Sequence, residues 1–359
     1  MTPRRLLVTG GAGFIGANFV HYWLNQHPDA HVVVLDALTY AGNRASLGSA
    51  ERHANFSFVH GNIGDTPLVE SLLRKEELDT IVHFAAESHV DRSIEAPDAF
   101  LETNIMGTHS LLKAARRVWL DGETALAHRF HHVSTDEVYG SLGPLDSPFT
   151  ESTAYAPNSP YSASKASSDH LVRAYHHTYG LGTTISNCSN NYGPYQFPEK
   201  LIPLMIGQLL SGKSLPVYGD GRNIRDWLHV QDHCRGIAAV LEHGKVGEVY
   251  NIGGRSECEN IHLVHLLCTI VDELLWATAD VPARFPHSAA ARGVRSESLV
   301  RYVKDRAGHD RRYAIDCTKI ERECAFSPQV ELEAGLRATV GWYMERAQAR
   351  NASPVQVTS

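Results

Sequence analysis

The chain has 359 residues, of which 43% are hydrophobic and 20% charged, and its formal net charge at pH 7 is -7. This balance is typical of a soluble globular protein and excludes a disordered, collagenous or fibrous chain. The negative charge, with no local basic cluster and no long apolar run, argues against nucleic-acid binding and against a membrane span. The six cysteines form no C-x-x-C pair, which is typical of reduced thiols in the cytoplasm.

Short apolar runs alternate with segments of helical periodicity through the first half of the chain. The predicted strands are Leu6–Val8, His31–Leu35, Phe56–His60, Thr80–Phe84, Phe130–Ser134 and Thr183–Cys188. The predicted helices between them are Gly16–His27, Pro67–Lys75, Pro97–Val118 and Ser162–Tyr179. This alternation indicates βαβ units, so the predicted fold is α/β, with a doubly wound parallel sheet of the Rossmann type.

The second half of the chain loses this alternation after about residue 188. Prolines interrupt it, and Ile261–Leu275 is predicted to be a helix outside the repeating pattern. We therefore expect a smaller C-terminal substrate-binding lobe beside the sheet. The predicted boundaries are 1–187 and 226–254 for the NAD-binding domain, 188–225 and 255–345 for the lobe, and 346–359 for a tail, of which 353–359 is predicted to be unstructured.

A glycine-rich turn joins the first predicted strand to the first helix. Gly10, Gly13 and Gly16 occupy that turn, where a Cβ atom would block the approach of a pyrophosphate to the helix N-terminus. Asp36 ends the next strand, 20 residues after Gly16, where a carboxylate accepts hydrogen bonds from ribose hydroxyls and repels a 2′-phosphate. The turn and Asp36 together predict NAD as the cofactor, in preference to NADP.

Further polar and small residues follow the ends of later strands. They are Asn62-Ile63, Ala85-Ala86, the run 134–137 and Asn190-Asn191. Open α/β sheets bind ligands at the carboxyl ends of their strands, so these residues are predicted to line the site. Asn62-Ile63 and Ala85-Ala86 would lie against the adenine and nicotinamide ends of the dinucleotide.

Tyr161 and Lys165 are spaced i and i+4, on one face of a predicted helix. A lysine ammonium and a nicotinamide cation both favour the phenolate form of a tyrosine, so Tyr161 could take a proton from a hydroxyl. Asp136 and Glu137 follow a strand end just before this helix. Elimination of water needs both a base and an acid, which two adjacent carboxyl groups can supply.

These motifs resemble the extended short-chain dehydrogenase/reductase superfamily. Longer segments resemble its dTDP-glucose 4,6-dehydratase family over residues 6 to 343, nearly the whole chain. The segments that carry the resemblance are Ala85-Ala86-Glu87-Ser88-His89-Val90-Asp91-Arg92-Ser93, Ser134-Thr135-Asp136-Glu137-Val138-Tyr139-Gly140, Asn187-Cys188-Ser189-Asn190-Asn191-Tyr192-Gly193-Pro194 and Phe197-Pro198-Glu199-Lys200-Leu201-Ile202-Pro203.

The resemblance implies a hydro-lyase that converts dTDP-glucose to dTDP-4-keto-6-deoxyglucose and water. Tyr161, with Lys165 and Thr135, would deprotonate the C4 hydroxyl while C4 is oxidised. Glu137 would then remove the C5 proton and Asp136 would protonate the departing C6 hydroxyl. Return of the hydride to C6 would regenerate NAD, so the cofactor would not need to leave.

The resemblance also implies the residues that bind each ligand. The implied cofactor contacts are Gly10, Gly13, Phe14, Ile15, Gly16, Asp36, Ala37, Leu38, Thr39, Asn62, Ile63, Phe84, Ala85, Ala86, Glu87, Ser88, Thr103, Tyr161, Lys165 and Asn191. The implied substrate contacts are Ser88, Thr135, Asp136, Glu137, Asn190, Lys200, Leu201, Pro216, Val217, Tyr218, Arg225, Asn260, Asp305, Arg306, Ala307, Gly308 and His309. A homodimer, formed through Pro97–Val118 and Ser162–Tyr179, is implied likewise.

Other functions remain open from the residues alone. The chain could be a 4-epimerase or a dehydratase acting on another nucleotide sugar, although the Asp136-Glu137 pair argues against an epimerase. A non-catalytic, NAD-binding regulator is less favoured, because Tyr161, Lys165 and Thr135 are all kept. No metal is predicted, since the 21 histidines form no complete ligand set.

Three departures from the family's pattern bear on substrate preference. Asn62 stands where the family usually has an aspartate, and Ala307 where it usually has a proline. The segment 277–298 is longer than the usual connection. We expect these differences to affect recognition of the nucleotide sugar more than the chemistry.

Overall fold

The computed structural model describes residues 2–121, 127–278 and 280–352, so the predicted tail after residue 352 lies outside the described residues. The strands are β1 (Arg5–Thr9), β2 (His31–Asp36), β3 (Phe56–His60), β4 (Thr80–His83), β5 (Arg129–Thr135), β6 (Thr183–Cys188), β7 (Asn190–Tyr192), β8 (Leu215–Tyr218), β9 (Ile224–His229), β10 (Val249–Ile252), β11 (Glu257–Glu259) and β12 (Val300–Val303). The α-helices are α1 (Phe14–Gln26), α2 (Thr66–Lys75), α3 (Val90–Glu95), α4 (Asp98–Phe100), α5 (Thr108–Trp119), α6 (Pro160–Tyr179), α7 (Leu201–Ser211), α8 (Val230–His243), α9 (Asn260–Trp276), α10 (Val281–Arg284), α11 (Thr318–Cys324) and α12 (Leu332–Ala352).

Seven strands form the central sheet, in the order β10-β6-β5-β4-β1-β2-β3. Every adjacent pair in this sheet is parallel. The chain winds outward from β1 to β3 and then crosses back to β4, so the winding direction reverses between β1 and β4. Ligands bind in the crevice at such a reversal, outside the carboxyl ends of the strands. The predicted α/β doubly wound fold is confirmed.

Each face of this sheet is covered by its own hydrophobic cluster. Alternate residues of β1 divide between them, because Leu6 and Val8 belong to one cluster and Leu7 to the other. Helices α1 and α8 bury Trp23 and Ile237 on the first face. Helices α2, α5 and α6 cover the second face, and both sides of the strands are therefore dry.

A third cluster lies outside the sheet and joins α7, α9 and α12 to β8. Fully buried Leu209, Leu267 and Leu336 come from the three helices. Two small sheets adjoin this cluster, one with the strand order β11-β9-β7 and one that pairs β12 with β8. The predicted domain boundaries themselves remain a prediction.

The predicted strands of the first half agree with the structure to within one residue at each end. One predicted helix, 97–118, is wrong as a single element, because a π-helix, Leu101–Gly107, separates α4 from α5. Asn104 within it is buried and bonds both backbone groups of Glu87 and the Ser164 hydroxyl. These tertiary contacts explain the local departure from α-helical geometry.

Strand β10 was missing from the predicted strands. It has four residues, Val249–Ile252, and its sequence carries little periodic signal. Its position is set by pairing with β6, and by Asn251, whose side chain bonds the Phe149 carbonyl and accepts from Tyr139. Contacts of this kind are distant in sequence and leave no local pattern.

Candidate active site

A cleft of about 310 Å³ opens at the carboxyl ends of the central strands, where the winding reverses. Gly10 closes β1 with φ of +68°, and a Cβ there would lie 2.6 Å from the Ala85 backbone nitrogen. A Cβ on Gly16 would overlap the Gly10 carbonyl oxygen. The glycines therefore allow the turn to pass close beneath β4 and expose the first backbone N–H groups of α1.

The N-terminus of α1 is suited to an anion. Its first turn has no acidic side chain, and Gly13 before it provides no side-chain cap. The helix dipole and the free N–H groups at this end favour a pyrophosphate. The sequence prediction for this turn and the geometry of the cleft agree.

Asp36 lies at the end of β2 and faces the same cleft. Its Oδ2 accepts a hydrogen bond from the Ala12 N–H at 2.8 Å, and its Oδ1 accepts from the Leu38 N–H at 2.8 Å. Each carboxylate oxygen keeps a lone pair for a further donor. The carboxylate is therefore fixed in place to receive the hydroxyls of a ribose, and the residues present fit a dinucleotide.

All the residues predicted for the cofactor line this cleft except Leu38, which contributes the backbone N–H to Asp36. Asn62 holds its side-chain oxygen on the Gly64 N–H at 2.7 Å, which leaves its NH₂ group free to donate. The lining residues that sequence analysis did not assign to the site are Leu35, Ala41, Gly42, Gly61, Val133, Cys188, Ser189, Gln196 and Phe197. Two of these residues lie near predicted site residues in the sequence: Gly42 comes shortly after Asp36, and Gly61 directly precedes Asn62.

Thr135, Tyr161 and Lys165 meet at the inner end of the cleft. Pro160 begins α6, and the Ser159 and Ser162 side chains cap it reciprocally, which fixes the turn that bears Tyr161. Thr135 hydrogen-bonds the Tyr161 side chain. Burial, and then the charge of Glu137, raise the pKa of Tyr161, while the Thr135 hydrogen bond acts to lower it.

The Lys165 ammonium is directed at β5. It donates to the Val133 carbonyl oxygen at 2.9 Å and lies 3.4 Å from His132 Nε2. Burial lowers the pKa of Lys165 to about 8. Lys165 and Tyr161 therefore share a helix face and line the same cleft, and the predicted effect of Lys165 on Tyr161 is that of its positive charge.

Asp136 and Glu137 form the first turn after β5 and also face the cleft. Burial, and then Glu137, raise the pKa of Asp136 well above its usual range. Burial also raises the pKa of Glu137, but the cations Lys200, Arg306 and Arg225 act against that rise. Burial therefore raises the pKa of both carboxyl groups, more strongly at Asp136, whereas three cations oppose the rise at Glu137.

A second cavity, of about 200 Å³, continues from the cleft toward the smaller lobe, and Glu137, Asn190 and Lys200 line both. Arg225 lies in it, 4% exposed, with its guanidinium 4.3 Å from the Tyr313 ring centroid. It donates to the carbonyl oxygens of Ile224 and Asp310. A fixed, buried guanidinium with N–H groups to spare is suited to a diphosphate.

Several buried polar atoms around this second cavity have no hydrogen-bond partner among the described residues. They are His89 Nδ1, Asn190 Oδ1, Gln196 Oε1, Trp227 Nε1, Asn260 Oδ1 and Arg306 Nε, and Asp136 Oδ2 in the adjoining cleft also has none. A buried polar group without a partner costs free energy, so such a group at a cavity wall indicates a ligand that completes it. The cavity therefore presents a set of donors and acceptors for a polar molecule.

Most residues predicted for the substrate line one of these two spaces. The structure does not bring Val217, Asp305, Ala307 and Gly308 to either lining. Val217 is buried in the lobe core, and Asp305 instead accepts a hydrogen bond from His309. Lining residues that sequence analysis did not assign include His89, Met205, Trp227 and Tyr313.

No group of three or more histidine, cysteine, aspartate or glutamate residues within the described ranges is placed to hold a metal ion. The adjacent His131 and His132 point apart. His131 bonds the hydroxyls of Thr184 and Ser186 on β6. A search of the described helices for one long and apolar enough to cross a bilayer finds none.

The comparisons with known proteins agree with this geometry. A family model described as GDP-mannose 4,6 dehydratase matches residues 7–339. The chain is 55% identical over 340 residues to a dTDP-glucose 4,6-dehydratase from Xanthomonas campestris pv. campestris, a match that covers 94% of this chain and 92% of the relative. The chain belongs to the dTDP-glucose 4,6-dehydratase family. The recognition of this family from the sequence motifs is thereby confirmed.

Solved structures separate this family from its relatives of the same fold. A dTDP-glucose 4,6-dehydratase from Streptomyces venezuelae, solved with NAD bound, is 49% identical, with a TM-score of 0.85 over 98% of this chain and 99% of that one. A UDP-glucose 4-epimerase from Thermotoga maritima is 26% identical, with a TM-score of 0.79 over 95% and 99%. The fold is shared by both, whereas the sequence is closer to the dehydratase.

Proposed function

We propose that this protein is an NAD-dependent dTDP-glucose 4,6-dehydratase, a lyase that forms dTDP-4-keto-6-deoxyglucose and water. The observation that carries the proposal is the buried Asp136-Glu137 pair, which faces the cofactor cleft and of which Glu137 also lines the second cavity. A 4-epimerase moves a proton and a hydride at one carbon, whereas removal of water needs an acid and a base together. The 55% identity to a dTDP-glucose 4,6-dehydratase supports the same assignment.

NAD, held by the glycine turn and Asp36, would supply the hydride chemistry of the reaction, as acceptor of a hydride from C4 of the hexose and donor of that hydride to C6. Tyr161 accepts the proton of the C4 hydroxyl, and Thr135, hydrogen-bonded to the Tyr161 side chain, orients that oxygen. Burial, which raises the pKa of Tyr161, opposes its ionisation, so positive charge from Lys165 and from a bound nicotinamide would be needed to favour the phenolate. Lys165 contributes positive charge at the inner end of the cleft.

Glu137 removes the C5 proton, and Asp136 donates a proton to the departing C6 hydroxyl. The raised pKa of Asp136 keeps that proton available at neutral pH, and its Oδ2 has no other partner among the described residues. Lys200, Arg306 and Arg225 favour the ionised form of Glu137, as a base requires. The water that leaves consists of the C6 hydroxyl and the proton from Asp136. When the hydride returns to C6, the proton held by Glu137 returns to C5, and the proton that Tyr161 accepted balances the one that Asp136 gave up.

The substrate's diphosphate is assigned to Arg225 and the second cavity, and the nucleotide base to the end formed by Tyr218 and His309. We also propose a cytoplasmic homodimer. The six cysteines are all free, which suits the cytoplasm. Leu101, Met106 and Tyr179 expose apolar surface on the helices predicted to form the dimer.

The decisive experiment incubates the purified protein with dTDP-glucose and no added NAD. Formation of a 4-keto-6-deoxy sugar, read by its alkaline absorbance and by loss of water in the mass spectrum, is the expected result. Turnover without added NAD would also show that the cofactor is retained and recycled. Failure with and without NAD, followed by turnover of a UDP, CDP or GDP sugar, would reassign the substrate.

Tyr161→Phe is expected to prevent the first oxidation, so that no enzyme-bound NADH absorbance develops after mixing with dTDP-glucose. The matched control is Tyr179→Phe, which removes a phenol hydroxyl from the exposed end of the same helix. We expect the control to form NADH and product as the unmodified protein does. A Tyr161→Phe protein that forms NADH at the normal rate would remove Tyr161 from this role.

A further inference from the structure

A buried polar cluster lies beside Lys165, and its members His132 and Asp169 do not line the cleft. The Lys165 ammonium is 3.4 Å from His132 Nε2, and the same nitrogen is 3.2 Å from Asp169 Oδ1. Asp169 comes from α6, four residues after Lys165, so both lie on one helix face. The proposed reaction assigns no task to Asp169 or to His132.

Asp169 is built into the core as a carboxylate acceptor. It is 2% exposed, and its Oδ2 accepts hydrogen bonds from the Ser134 hydroxyl at 2.9 Å and the Tyr155 hydroxyl at 3.0 Å. Its Oδ1 has no hydrogen-bond donor among the described residues and is the oxygen nearest His132. A buried carboxylate needs both donors and a counter-charge to persist, and the donors are present.

The groups that surround Lys165 leave Asp169 as its counter-charge. Burial lowers the pKa values of His83 on β4 and His132 on β5, which keeps both imidazoles neutral. Burial raises the pKa of the Cys188 thiol on β6, so that group is neutral too. His170, beside Asp169 on α6, can only add positive charge, and it acts on Asp169.

We propose that Asp169 is a positioning residue, whose buried negative charge keeps the Lys165 ammonium protonated and anchored against β5. This role rests on the proposed function for its consequence, because Lys165 supplies positive charge where Tyr161 becomes a phenolate. Neutral His132 lies between the two charges and fixes their separation. Burial lowers the pKa of Lys165 to about 8, and Asp169 opposes that fall.

The first test measures Lys165 itself and needs no turnover. Lys165 lines the cleft but is only 4% exposed, so acetic anhydride is applied in excess to protein from which NAD has been removed, and only the free amine reacts. The extent of Lys165 acetylation is read by mass spectrometry of its peptide across a pH series. We expect Asp169→Asn to lower the midpoint by about one pH unit, and to raise reactivity near pH 7 about fivefold, because a nearby opposite charge is lost.

Two further variants separate charge from packing. Asp169→Glu retains the negative charge and is expected to restore most of the midpoint. Asp272→Asn is the matched control: Asp272 is a buried aspartate of the smaller lobe that accepts from the Ser296 backbone N–H and hydroxyl. That control is expected to leave the Lys165 midpoint unchanged. An unchanged midpoint in Asp169→Asn would overturn the proposal.

Tyr155→Phe provides a second route if Asp169→Asn does not fold. It removes one donor from Asp169, which raises the pKa of that carboxyl and weakens its charge, so the Lys165 midpoint should fall by a smaller amount. No fall in this variant would count against the proposal.

Turnover is measured on the same proteins. The alkaline limb of kcat should move to lower pH in Asp169→Asn, in step with the acetylation midpoint. A shifted midpoint in a protein that never turns over dTDP-glucose would uphold the role of Asp169 and reject the proposed function. If the acetylation midpoint of Lys165 shifts but the alkaline limb of the kcat profile does not move, the catalytic consequence proposed for Asp169 is overturned.

Discussion

The cofactor cleft and the substrate cavity are adjacent but are built in different ways. The cleft is formed at the ends of parallel strands of one sheet, so its groups, such as Gly10 and Asp36, are fixed by the register of β1 and β2. The substrate cavity is formed by segments far apart in the chain, such as α3, α7, β9 and the stretch from Arg306 to Tyr313. The ends of neighbouring strands therefore form the cofactor side, and helices, short strands and loops from distant parts of the chain form the substrate side.

This difference assigns different tasks to the two regions. A site on strand ends preserves geometry, which suits groups that must be aligned for reaction. A site made by several separate segments can change one segment at a time, which suits recognition of different nucleotide sugars. Glu137 and Lys200 line both spaces, and the reacting part of the substrate is therefore expected at that junction.

The largest expected effect is at the junction. Asp136→Asn and Glu137→Gln should each slow water elimination by about 10²–10⁴-fold, because each removes one member of the acid and base pair. Both amides keep the size of the side chain, so NAD is expected to remain bound. Steady-state release of the 4-keto-6-deoxy sugar measures the loss, and the absorbance of bound NADH tests whether C4 oxidation still occurs.

An appropriate control for the carboxyl pair is Asp146→Asn. Asp146 is an exposed residue that accepts a hydrogen bond from the Gly143 N–H, in the same connection between β5 and α6. It should leave turnover within about twofold, since surface substitutions of this kind have small effects. Normal turnover in both Asp136→Asn and Glu137→Gln would mean that other groups carry out the elimination.

The next effect tests the rigidity of the cofactor cleft. Gly10→Ala should lower thermal stability and weaken NAD retention, because its Cβ would lie 2.6–2.9 Å from backbone atoms of Phe84 and Ala85. Gly180→Ala is the matched control, since Gly180 has a similar φ of +75° and no neighbour within 4 Å of the added Cβ. Positive φ alone costs about 1 kcal/mol, so the larger loss at Gly10 measures the close approach.

Thermal melting with and without NAD, together with the NAD content of the purified proteins, measures these two variants. Equal destabilisation at Gly10 and Gly180 would mean that the backbone around Ala85 yields easily. The cleft would then be less rigid than its strand-end construction indicates.

Sequence analysis could anticipate the cofactor cleft because each of its signals is local. Gly10, Gly16 and Asp36 occur in a fixed order along one βαβ unit, and the sheet brings them together without reference to the rest of the chain. The π-helix Leu101–Gly107 was not predicted, since it depends on contacts that Asn104 makes with Glu87 and Ser164. Asp169 was not singled out either, because a lone aspartate in a helix carries no local signal.

The substrate cavity could be anticipated only through resemblance. Periodicity gave no reason to bring Arg225, Asn260 and Arg306 together, and the structure brings all three to one lining. The resemblance also placed Val217 and Asp305 there, which line neither space; Val217 packs in the lobe core. Trp227 and Tyr313 were not assigned to the cavity, because a buried aromatic residue looks the same in sequence whether it fills a core or lines a cavity.

The smallest expected effect concerns recognition in the substrate cavity. Arg225→Lys keeps the positive charge but loses the planar fork that can hold two phosphate oxygens, and it also loses the stacking on Tyr313. We expect KM for dTDP-glucose to rise about tenfold, with kcat changed much less, because the diphosphate is bound equally in the ground state and the transition state. Arg311→Lys is the control, since Arg311 forms an exposed ion pair with Asp220 and should leave KM unchanged.

A loss in kcat with a constant KM would instead attribute the role of Arg225 to its influence on Glu137, whose pKa it helps to hold down. Either result sharpens the contrast between the cofactor cleft and the substrate cavity. An effect on KM would mean that the segments around the substrate cavity serve recognition, and an effect on kcat would extend the reacting site beyond the strand ends of the cleft.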